Sequence, residues 1–303
     1  MIYIVIVTYN GIQWIEQCLN SIPKDCNTVI IDNNSLDNTV SFIKEKFPKV
    51  HLIEKNENLG FGKANNIGIS YALNQGAAYV FLLNQDAYLE TNTIESLIKI
   101  HKENKNYGIL SPIHLNGSND GLDINFSNYA LRNREFLFDA VNQKYSKYIY
   151  EVPFVNAAAW LIPRNTIELV GGFDPIFFHY GEDDNYCQRV LYHQLKVGIV
   201  PNTFVLHDRE FRTKSTQPTY REQLLLKERV LKYNWANINV NVNNQTSSQQ
   251  NKYLKLIVKL LLKFQFNKAK FYYNEFKLIK SIIPEIINSR EINKTKGKHY
   301  LNF

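Results

Sequence analysis

Four short, almost entirely apolar runs alternate with helical patterns over the first 115 residues, and this alternation restricts the fold more than any other feature of the chain. The runs, which predict β-strands, are Tyr3–Thr8, Thr28–Asp32, Val50–Ile53 and Tyr79–Asn84. The intervening helices are predicted over Ile12–Ile22, from Thr39, after Gly62 and over Thr91–Lys105. Strands that are apolar on both faces and separated by helices are typical of a parallel sheet covered on each side. We therefore predict an α/β protein with a Rossmann-like, mostly parallel sheet.

Polar side chains stand at the carboxyl ends of three of these predicted strands. The three segments are Thr8-Tyr9-Asn10, Asp32-Asn33-Asn34 and Asn84-Gln85-Asp86. Ligands of such sheets bind beyond the carboxyl ends of the strands. The sequence therefore predicts a binding site to which these three segments contribute.

A second group of acids follows an aromatic run farther along the chain. The run Ile176–Phe178 is predicted to be buried, and Glu182, Asp183 and Asp184 follow it at the start of a predicted helix. Burial and neighbouring acids raise the pKa of a carboxyl group and favour its use as a proton acceptor, whereas the helix dipole lowers that pKa. Arg189 is expected to pair with one of these acids. A strand-end acid combined with a distant acidic cluster fits metal-assisted transfer from a diphosphate.

The net charge of +7 is concentrated near the C-terminus, because residues 251–303 carry +9 and the rest of the chain carries −2. Four lysines recur there every three or four residues among Leu, Ile and Val: Lys252, Lys255, Lys259 and Lys263. This pattern predicts a basic amphipathic helix. Packing on the protein's own surface and contact of residues 252–280 with an anionic membrane explain it equally well. Its Leu- and Ile-rich character argues against nucleic-acid binding.

The N-terminus has no signal-peptide pattern, and no apolar run approaches the roughly 20 residues that a membrane span requires. The cysteines Cys18, Cys26 and Cys187 lack metal-ligand spacing, and their odd number argues against a disulfide framework. These features favour a cytoplasmic protein, placed at the inner face of the cell membrane if the basic helix binds lipid.

The composition predicts two domains. A catalytic domain is expected over 1–215, with a donor-binding half over 1–115 and an acceptor-binding half over 116–215. A helical extension is expected over 216–303, with a helix over 220–237 and a polar linker near 237–251. Residues 116–150 show no clear period, and we predict a loop or small hairpin over the site.

Six motifs then occur in a diagnostic order. They are Val7-Thr8-Tyr9-Asn10, Asp32-Asn33-Asn34-Ser35, Asn58 to Gly68, Leu83-Asn84-Gln85-Asp86, Gly171-Gly172-Phe173-Asp174 and Glu182-Asp183. In these motifs, which extend to about residue 210, the chain resembles glycosyltransferase family 2, and its rhamnosyltransferase-like branch most of all. The resemblance implies a GT-A fold and a UDP- or dTDP-linked sugar donor. It also implies transfer, usually with inversion, to a hydroxyl of a glycan or lipid-linked acceptor in surface polysaccharide synthesis.

The resemblance assigns a donor-binding set to this chain. Its members are Thr8, Tyr9, Asn10, Asp32, Asn34, Gly60, Gly62, Asn65, Asn84 and Gln85. Asp32 would accept a hydrogen bond from the pyrimidine N3–H, and the glycines would let the backbone approach the nucleotide. Taken without the motifs, Asp32 is more typical of a loop cap, and the glycines are also typical of turns.

The resemblance also assigns the metal and the chemistry. Asp86, with His207 as a second ligand, would hold Mg²⁺ or Mn²⁺ together with the diphosphate oxygens. Asp183, assisted by Glu182, would be the general base that takes the acceptor hydroxyl proton. The structural alternatives are a turn-capping role for Asp86, a structural role for His207 and the acidic first turn of a helix for the acids.

Trp160 and Asp184 are the predicted acceptor contacts, although a lone tryptophan in an apolar segment also suits core packing. Two other functions compete with glycosyl transfer. A sugar nucleotidyltransferase would have a glycine-rich, basic loop after the first strand, which Thr8-Tyr9-Asn10-Gly11 lacks. A non-catalytic nucleotide-sugar-binding protein of the same fold is compatible with Asn84 and Asn185, which stand where the family often has acids. Retention of Asp32, Asp86 and Asp183 together argues against that alternative.

Overall fold

The computed structural model of the chain describes residues 1–209 and 219–303. The chain divides into two compact units, one of Met1–Thr213 with Lys296–Phe303 and the other of Lys214–Thr295. The predicted boundary between residues 215 and 216 lies outside the described residues and stays a prediction. The last eight residues, which the sequence assigned to the extension, belong to the first unit instead.

The first unit contains the elements that the strand pattern predicts, followed by a second set of strands and helices. In chain order they are β1 (Ile2–Thr8), α1 (Ile15–Asn20), β2 (Asn27–Asp32), α2 (Thr39–Lys46), β3 (His51–Glu54), α3 (Phe61–Asn74), β4 (Tyr79–Asn84), β5 (Ala87–Leu89), α4 (Thr93–Glu103), β6 (Tyr107–Asn116), α5 (Ile124–Ala130), α6 (Arg134–Val141), β7 (Tyr150–Glu151), β8 (Ala159–Pro163), α7 (Arg164–Val170), α8 (Glu182–Tyr192) and β9 (Lys196–His207).

In the described part of the chain, these strands form a single nine-stranded sheet. Its order is β3-β2-β1-β4-β8-β6-β9-β5, with β7 paired to β9. Strands β1 to β4 are parallel to one another, whereas β8 runs antiparallel to both β4 and β6. The predicted α/β fold is confirmed, and the sheet is mixed because the parallel part is confined to β1–β4 and the β6–β9 pair.

The near-continuous apolar character of β1 has a direct structural cause. Ile4 and Ile6 belong to the core on one face of the sheet, whereas Val5 belongs to the core on the other face. All three are fully buried. Because successive strand residues point to opposite faces, a strand covered on both sides is apolar at every position.

Residues 116–150 are not the loop or hairpin that the sequence predicted, because they contain α5 and α6. Each helix begins at a polar cap: Asp123 accepts a hydrogen bond from the Phe126 N–H at 2.8 Å, and Asn133 accepts one from the Phe136 N–H at 3.0 Å. With 7 and 8 residues, the helices are too short to display a hydrophobic period.

The second unit contains three helices in its described part: α9 (Tyr220–Trp235), α10 (Asn243–Leu262) and α11 (Phe266–Lys294). The polar linker predicted near 237–251 is wrong from residue 243 onward, because α10 starts at Asn243. The first turns of this helix are polar, and its apolar residues follow Lys252. The turn before α10 is held by Arg290, whose guanidinium donates to the carbonyls of Trp235 and Val240 at 2.8 and 2.7 Å. None of the described helices is both long and apolar enough to span a bilayer.

The last residues of the chain return to the first unit. The Gly297 N–H donates to the Leu169 carbonyl at 3.0 Å, and the His299 carbonyl accepts from the Gly172 N–H at 2.8 Å. Arg189 is fully buried and donates to the Gly172 carbonyl at 2.6 Å, and its guanidinium lies 5.5 Å from the Tyr300 ring centroid. The predicted pairing of Arg189 with an acid of 182–184 is therefore corrected: backbone carbonyls and an aromatic face contact its guanidinium, and the acid whose charge acts on it is Asp174.

Candidate active site

A cavity of about 480 Å³ opens at the carboxyl ends of β1 and β4. It is lined by Val7, Tyr9, Asn10, Trp14, Asn33, Asn58, Gly60, Phe61, Asn84, Gln85, Asp86, Asn156, Ala157, Ala158, Phe178, His179, Tyr180, Glu182, Asp183 and Arg209. Eight predicted site residues are among them: Tyr9, Asn10, Gly60, Asn84, Gln85, Asp86, Glu182 and Asp183. The other eight do not line it: Thr8, Asp32, Asn34, Gly62, Asn65, Trp160, Asp184 and His207. The two acidic groups of the sequence therefore meet in one cavity.

Gln85 joins the ends of β1 and β4. Its Oε1 accepts hydrogen bonds from the Thr8 hydroxyl at 2.7 Å and from the Tyr9 N–H at 3.0 Å. Its side-chain nitrogen donates back to the Tyr9 carbonyl at 3.2 Å. Thr8 is fully buried by this arrangement, so it positions the cavity rim and leaves the cavity wall to Tyr9 and Asn10.

Asp32 lies beside Thr8 in the register of β1 and β2 and is only 2% exposed. Its Oδ2 accepts a hydrogen bond from the Ser35 N–H at 3.0 Å, whereas its Oδ1 is buried without a partner. A buried acceptor without a donor is unfavourable. The orphaned oxygen therefore suits a donor group brought by a ligand. The following Asn34 has a left-handed backbone, with φ of 69°, and lies off the cavity wall.

Gly60 requires glycine for two reasons. Its φ of 79° lies in the left-handed region, and a Cβ atom there would meet the Phe178 carbonyl oxygen at 2.0 Å. This contact joins the loop before α3 to the segment before α8. Gly62 and Asn65, in contrast, do not line the cavity: a Cβ on Gly62 would meet the Phe173 side chain at 2.9 Å and the Cβ of Glu182 at 3.6 Å, and the Asn65 amide donates to the Phe61 carbonyl. Their predicted donor contacts stay predictions.

One end of the cavity, which we call the Asp86 end, is formed by residues from three separate segments. Asp86 is 1% exposed, and its Oδ1 lies 3.5 Å from Nε2 of His207. The other ring nitrogen of His207, Nδ1, lies 3.6 Å from Oδ2 of Asp123, and Nη1 of Arg209 lies 3.9 Å from the same oxygen. His207 therefore stands between two carboxylates just behind the cavity wall.

A second part of the cavity wall, which we call the acid end, is the first turn of α8. Burial, reinforced by the neighbouring Asp183, raises the pKa of Glu182 to about 8, and burial raises that of Asp184 to about 7. Burial also raises the pKa of Asp183, against the opposing effect of hydrogen bonds from the backbone N–H groups of Asp184 and Ala157. Desolvation therefore outweighs the backbone hydrogen bonds at this helix start, and the pKa of Asp183 is raised rather than lowered.

Two predicted acceptor contacts lie elsewhere. Trp160 is fully buried on β8, where its ring stacks on Phe173 with centroids 6.0 Å apart, so its predicted sugar contact is corrected to core packing. Asp184 is half-buried beside the cavity wall rather than on it. Phe178, predicted to be buried with Phe177, is 61% exposed, whereas Phe177 is 2% exposed.

Several residues of the cavity wall were not predicted from the sequence. Exposed aromatic rings at the mouth come from Tyr9, Phe178 and Tyr180, which are 43%, 61% and 48% exposed. Only Tyr9 was predicted. The position of Phe178 and Tyr180 just before Glu182 was the available signal. The sequence also contained a signal for Arg209, because this residue follows His207 by two positions at the end of a predicted strand.

Comparison with known protein families decides to which of them the chain belongs. A model of glycosyl transferase family 2 matches residues 3–165. The chain belongs to glycosyl transferase family 2. It is therefore a glycosyltransferase that uses a nucleotide-sugar donor, and the resemblance carried by its motifs is confirmed.

Relatives of this family 2 glycosyltransferase include two named enzymes. The dTDP-rhamnosyl transferase RfbF of Shigella flexneri is 26% identical over 213 residues, which cover 68% of each chain. The low-salt glycan biosynthesis hexosyltransferase Agl10 of Haloferax volcanii is 25% identical over 235 residues, covering 76% of this chain and 75% of Agl10.

A solved structure supports the fold. The mannosyltransferase PcManGT from Pyrobaculum calidifontis, solved with GDP-Man and Mn²⁺, is 20% identical to this chain and matches it with a TM-score of 0.53. The match covers 78% of this chain and 63% of PcManGT, which is less than two thirds of the latter. The predicted GT-A fold is confirmed on this likeness.

Proposed function

We propose that this glycosyltransferase moves a sugar from a UDP- or dTDP-linked donor to a hydroxyl group of a glycan or lipid-linked acceptor, with inversion, in surface polysaccharide synthesis. One observation carries the proposal: Asp86 and the Glu182–Asp183 pair, nearly a hundred residues apart, line the same cavity. The name of Agl10 supports the glycan-synthesis context, and the name of RfbF supports a dTDP-linked donor.

The donor nucleotide is proposed to lie at the ends of β1 and β2. The orphaned Oδ1 of Asp32 would accept the N3–H of uracil or thymine, a hydrogen bond that cytosine, which lacks this proton, does not provide. Tyr9 offers an exposed aromatic ring on the cavity wall for stacking against the base. We propose these two contacts as the basis for choosing a UDP or dTDP donor.

The diphosphate is proposed to lie at the Asp86 end, where a divalent cation would be shared with it. Within the described residues, no three carboxylate, imidazole or thiol groups come together as a complete metal site. Asp86 and His207 supply two ligands 3.5 Å apart, which fits a cation whose other ligands are diphosphate oxygens and water. Bound Mg²⁺ or Mn²⁺ would neutralise charge on the leaving nucleoside diphosphate. Arg209 on the cavity wall would add a fixed positive charge beside it.

The base is proposed to be Asp183. With a pKa near 8, Glu182 holds its proton at pH 7, and this leaves its neighbour Asp183 as the proposed proton acceptor. Asp183 accepts two backbone hydrogen bonds and is attracted to Arg209, and both effects favour its charged form. It lines the cavity, so it can take the proton of an acceptor hydroxyl as the oxygen attacks the anomeric carbon.

The test is a donor-turnover assay on Asp183→Asn. First, thermal shifts with UDP- and dTDP-linked sugars, with and without Mn²⁺, identify the donor. With that donor, D183N should release nucleoside diphosphate roughly 10²–10⁴-fold more slowly than the wild type, which is the usual contribution of a general base. Its donor affinity, measured by calorimetry, should be unchanged. Equal release by both proteins would show that Asp183 is not the base.

The predicted location stays a proposal as well. We propose that the enzyme works at the inner face of the cell membrane, where a lipid-linked acceptor would be available, and that residues 252–280 contact that surface.

A further inference from the structure

The second unit has a segment of unusual composition. Residues 243–274 contain six lysines and no Asp or Glu: the lysines are Lys252, Lys255, Lys259, Lys263, Lys268 and Lys270. This segment covers α10, the turn after it and the start of α11. Surfaces of soluble proteins ordinarily mix positive and negative side chains. Packing on its own protein therefore does not explain why this segment carries positive charges alone.

One face of α10 accounts for the packing of the helix. Tyr253 and Leu260 are each 8% exposed, and Leu256 and Ile257 are partly buried between them. These positions repeat every three or four residues, so they form the stripe that packs on α11. This stripe is therefore the apolar face that α10 buries within its own unit.

The outer face carries a second apolar row that the packing does not use. Leu254, Val258 and Leu262 follow one another at intervals of four residues and are 46%, 55% and 77% exposed. The row continues past the end of α10 into Phe264 and Phe266, which are 80% and 60% exposed and stand edge to face, 6.2 Å apart. We call these five side chains the apolar ridge.

A basic row runs beside the apolar ridge. Lys255, Lys259 and Lys263 are exposed and follow Leu254, Val258 and Leu262 by one position each. Lysines next to an exposed apolar row are typical of helices that lie in the headgroup layer of a membrane, apolar side inward. An isologous contact with a second copy would bring like charges of the two basic rows together, which is unfavourable.

We propose that the apolar ridge and its basic row form a docking surface for an anionic membrane. Phe264, Phe266 and Leu262 enter the boundary between headgroups and acyl chains. The lysines of the basic row contact lipid phosphates. The two phenylalanines lie where α10 ends and α11 begins, and they are 80% and 60% exposed, so they are free to enter a lipid layer. The proposal deepens the membrane contact proposed above for residues 252–280 by naming the side chains that make it. It uses no residue of the cavity, so its failure would leave the proposed reaction untouched.

The experiment is co-sedimentation of the full chain with vesicles. The wild type should bind vesicles of phosphatidylcholine and phosphatidylglycerol, and bind pure phosphatidylcholine weakly. Raising the salt from about 0.1 M to about 1 M should release it, because the screening length falls from about 10 Å to about 3 Å. Binding that is equal on both vesicle types, or absent from both, would overturn the proposal.

Two variants separate charge from insertion. The triple substitution K255Q/K259Q/K263Q should weaken binding roughly 100-fold, because each lysine near an anionic surface contributes about 1 kcal/mol. A matched control is K99Q/K102Q/K105Q, which removes three exposed lysines of the first unit and should bind as the wild type does. The second variant, F264S/F266S, should lose binding even to the anionic vesicles at low salt.

Further measurements control for misfolding and self-association. All substituted side chains are exposed, so the thermal midpoint and the release of nucleoside diphosphate in solution should stay at wild-type values. If F264S/F266S turns a dimer into a monomer in light scattering while vesicle binding persists, the ridge is a contact between copies and the proposal is wrong. Equal loss of binding in the K99Q/K102Q/K105Q control would show that total charge, rather than this surface, attracts the protein.

Discussion

The two ends of the cavity use the same residue type in opposite surroundings. At the Asp86 end, a carboxylate lies next to an imidazole, with Asp123 and Arg209 behind it. At the acid end, Glu182, Asp183 and Asp184 are consecutive and crowd one another, and burial raises the pKa of each. Surroundings of the first kind suit binding of a cation, and those of the second kind suit holding and releasing a proton. The contrast teaches that position in the fold, rather than residue type, separates the two roles.

Loss of the Asp86 carboxylate should have the largest effect. Asp86→Asn keeps the size of the side chain and removes the charged ligand, so turnover of the donor should fall about 10³-fold or more, since a metal ion supplies several kcal/mol of charge stabilisation. The stabilisation of the protein by UDP with Mn²⁺ should disappear in thermal-shift measurements. Its thermal midpoint without ligand should stay near the wild-type value. If UDP with Mn²⁺ stabilises D86N as much as the wild type, the Asp86 end does not bind the cation and the proposed difference between the two ends is wrong.

Asp123→Asn tests whether the segment behind His207 contributes to the Asp86 end. Asn caps helices as well as Asp does, so α5 should persist while the charge facing Nδ1 of His207 is lost. Affinity for Mn²⁺ with UDP, measured by calorimetry, should fall roughly 10–100-fold, as for other residues that orient metal ligands. Asp120→Asn removes the same charge from an exposed loop of that segment and is the matched control. If D123N binds Mn²⁺ with UDP as tightly as the wild type does, Asp123 acts only as the cap of α5.

Glu182→Gln should have the smallest effect at pH 7 and a clear effect on the pH dependence. Glu182 is protonated at pH 7, so a neutral Gln should leave turnover within a few-fold of the wild type. Above pH 8 the wild type gains a charge beside Asp183, and any change in turnover centred there should be absent from E182Q. A large loss of turnover at pH 7 would assign the base to Glu182 instead.

The same substitution has a consequence for stability. Because the pKa of Glu182 is raised in the folded state, the folded state binds more protons than the unfolded state between about pH 4.5 and about pH 8. The free energy of unfolding therefore falls as the pH rises through that window. E182Q should abolish this part of the slope and be more stable than the wild type at pH 9, as judged by denaturant titration.

Much of the Asp86 end and of the acid end could be predicted from the sequence. Asp86 ends an apolar run and Asp183 follows an aromatic one, so strand-end logic and the family motifs lead to both. What failed was the direction of individual side chains. Trp160 lies in a matching segment, but its side chain points into the core, because successive positions on a strand face opposite sides of the sheet and both sides are covered here.

The prediction of a loop or hairpin over residues 116–150 was wrong for another reason. A helix of seven residues makes only two turns, too few to show a hydrophobic period above the noise of composition. The usable signals were single polar caps, Asp123 and Asn133, and a lone Asp or Asn is equally common in turns. The contact between Asp123 and His207 joins residues 84 positions apart, so only the folded chain reveals it.

The return of residues 296–303 to the first unit makes that unit discontinuous in the order of synthesis. The segment that packs against Gly171, Gly172 and Arg189 leaves the ribosome only after the whole second unit has been made. Until then α8, the helix that carries Glu182 and Asp183, lacks its outer support, so the first unit is completed only once translation has passed through α9, α10 and α11.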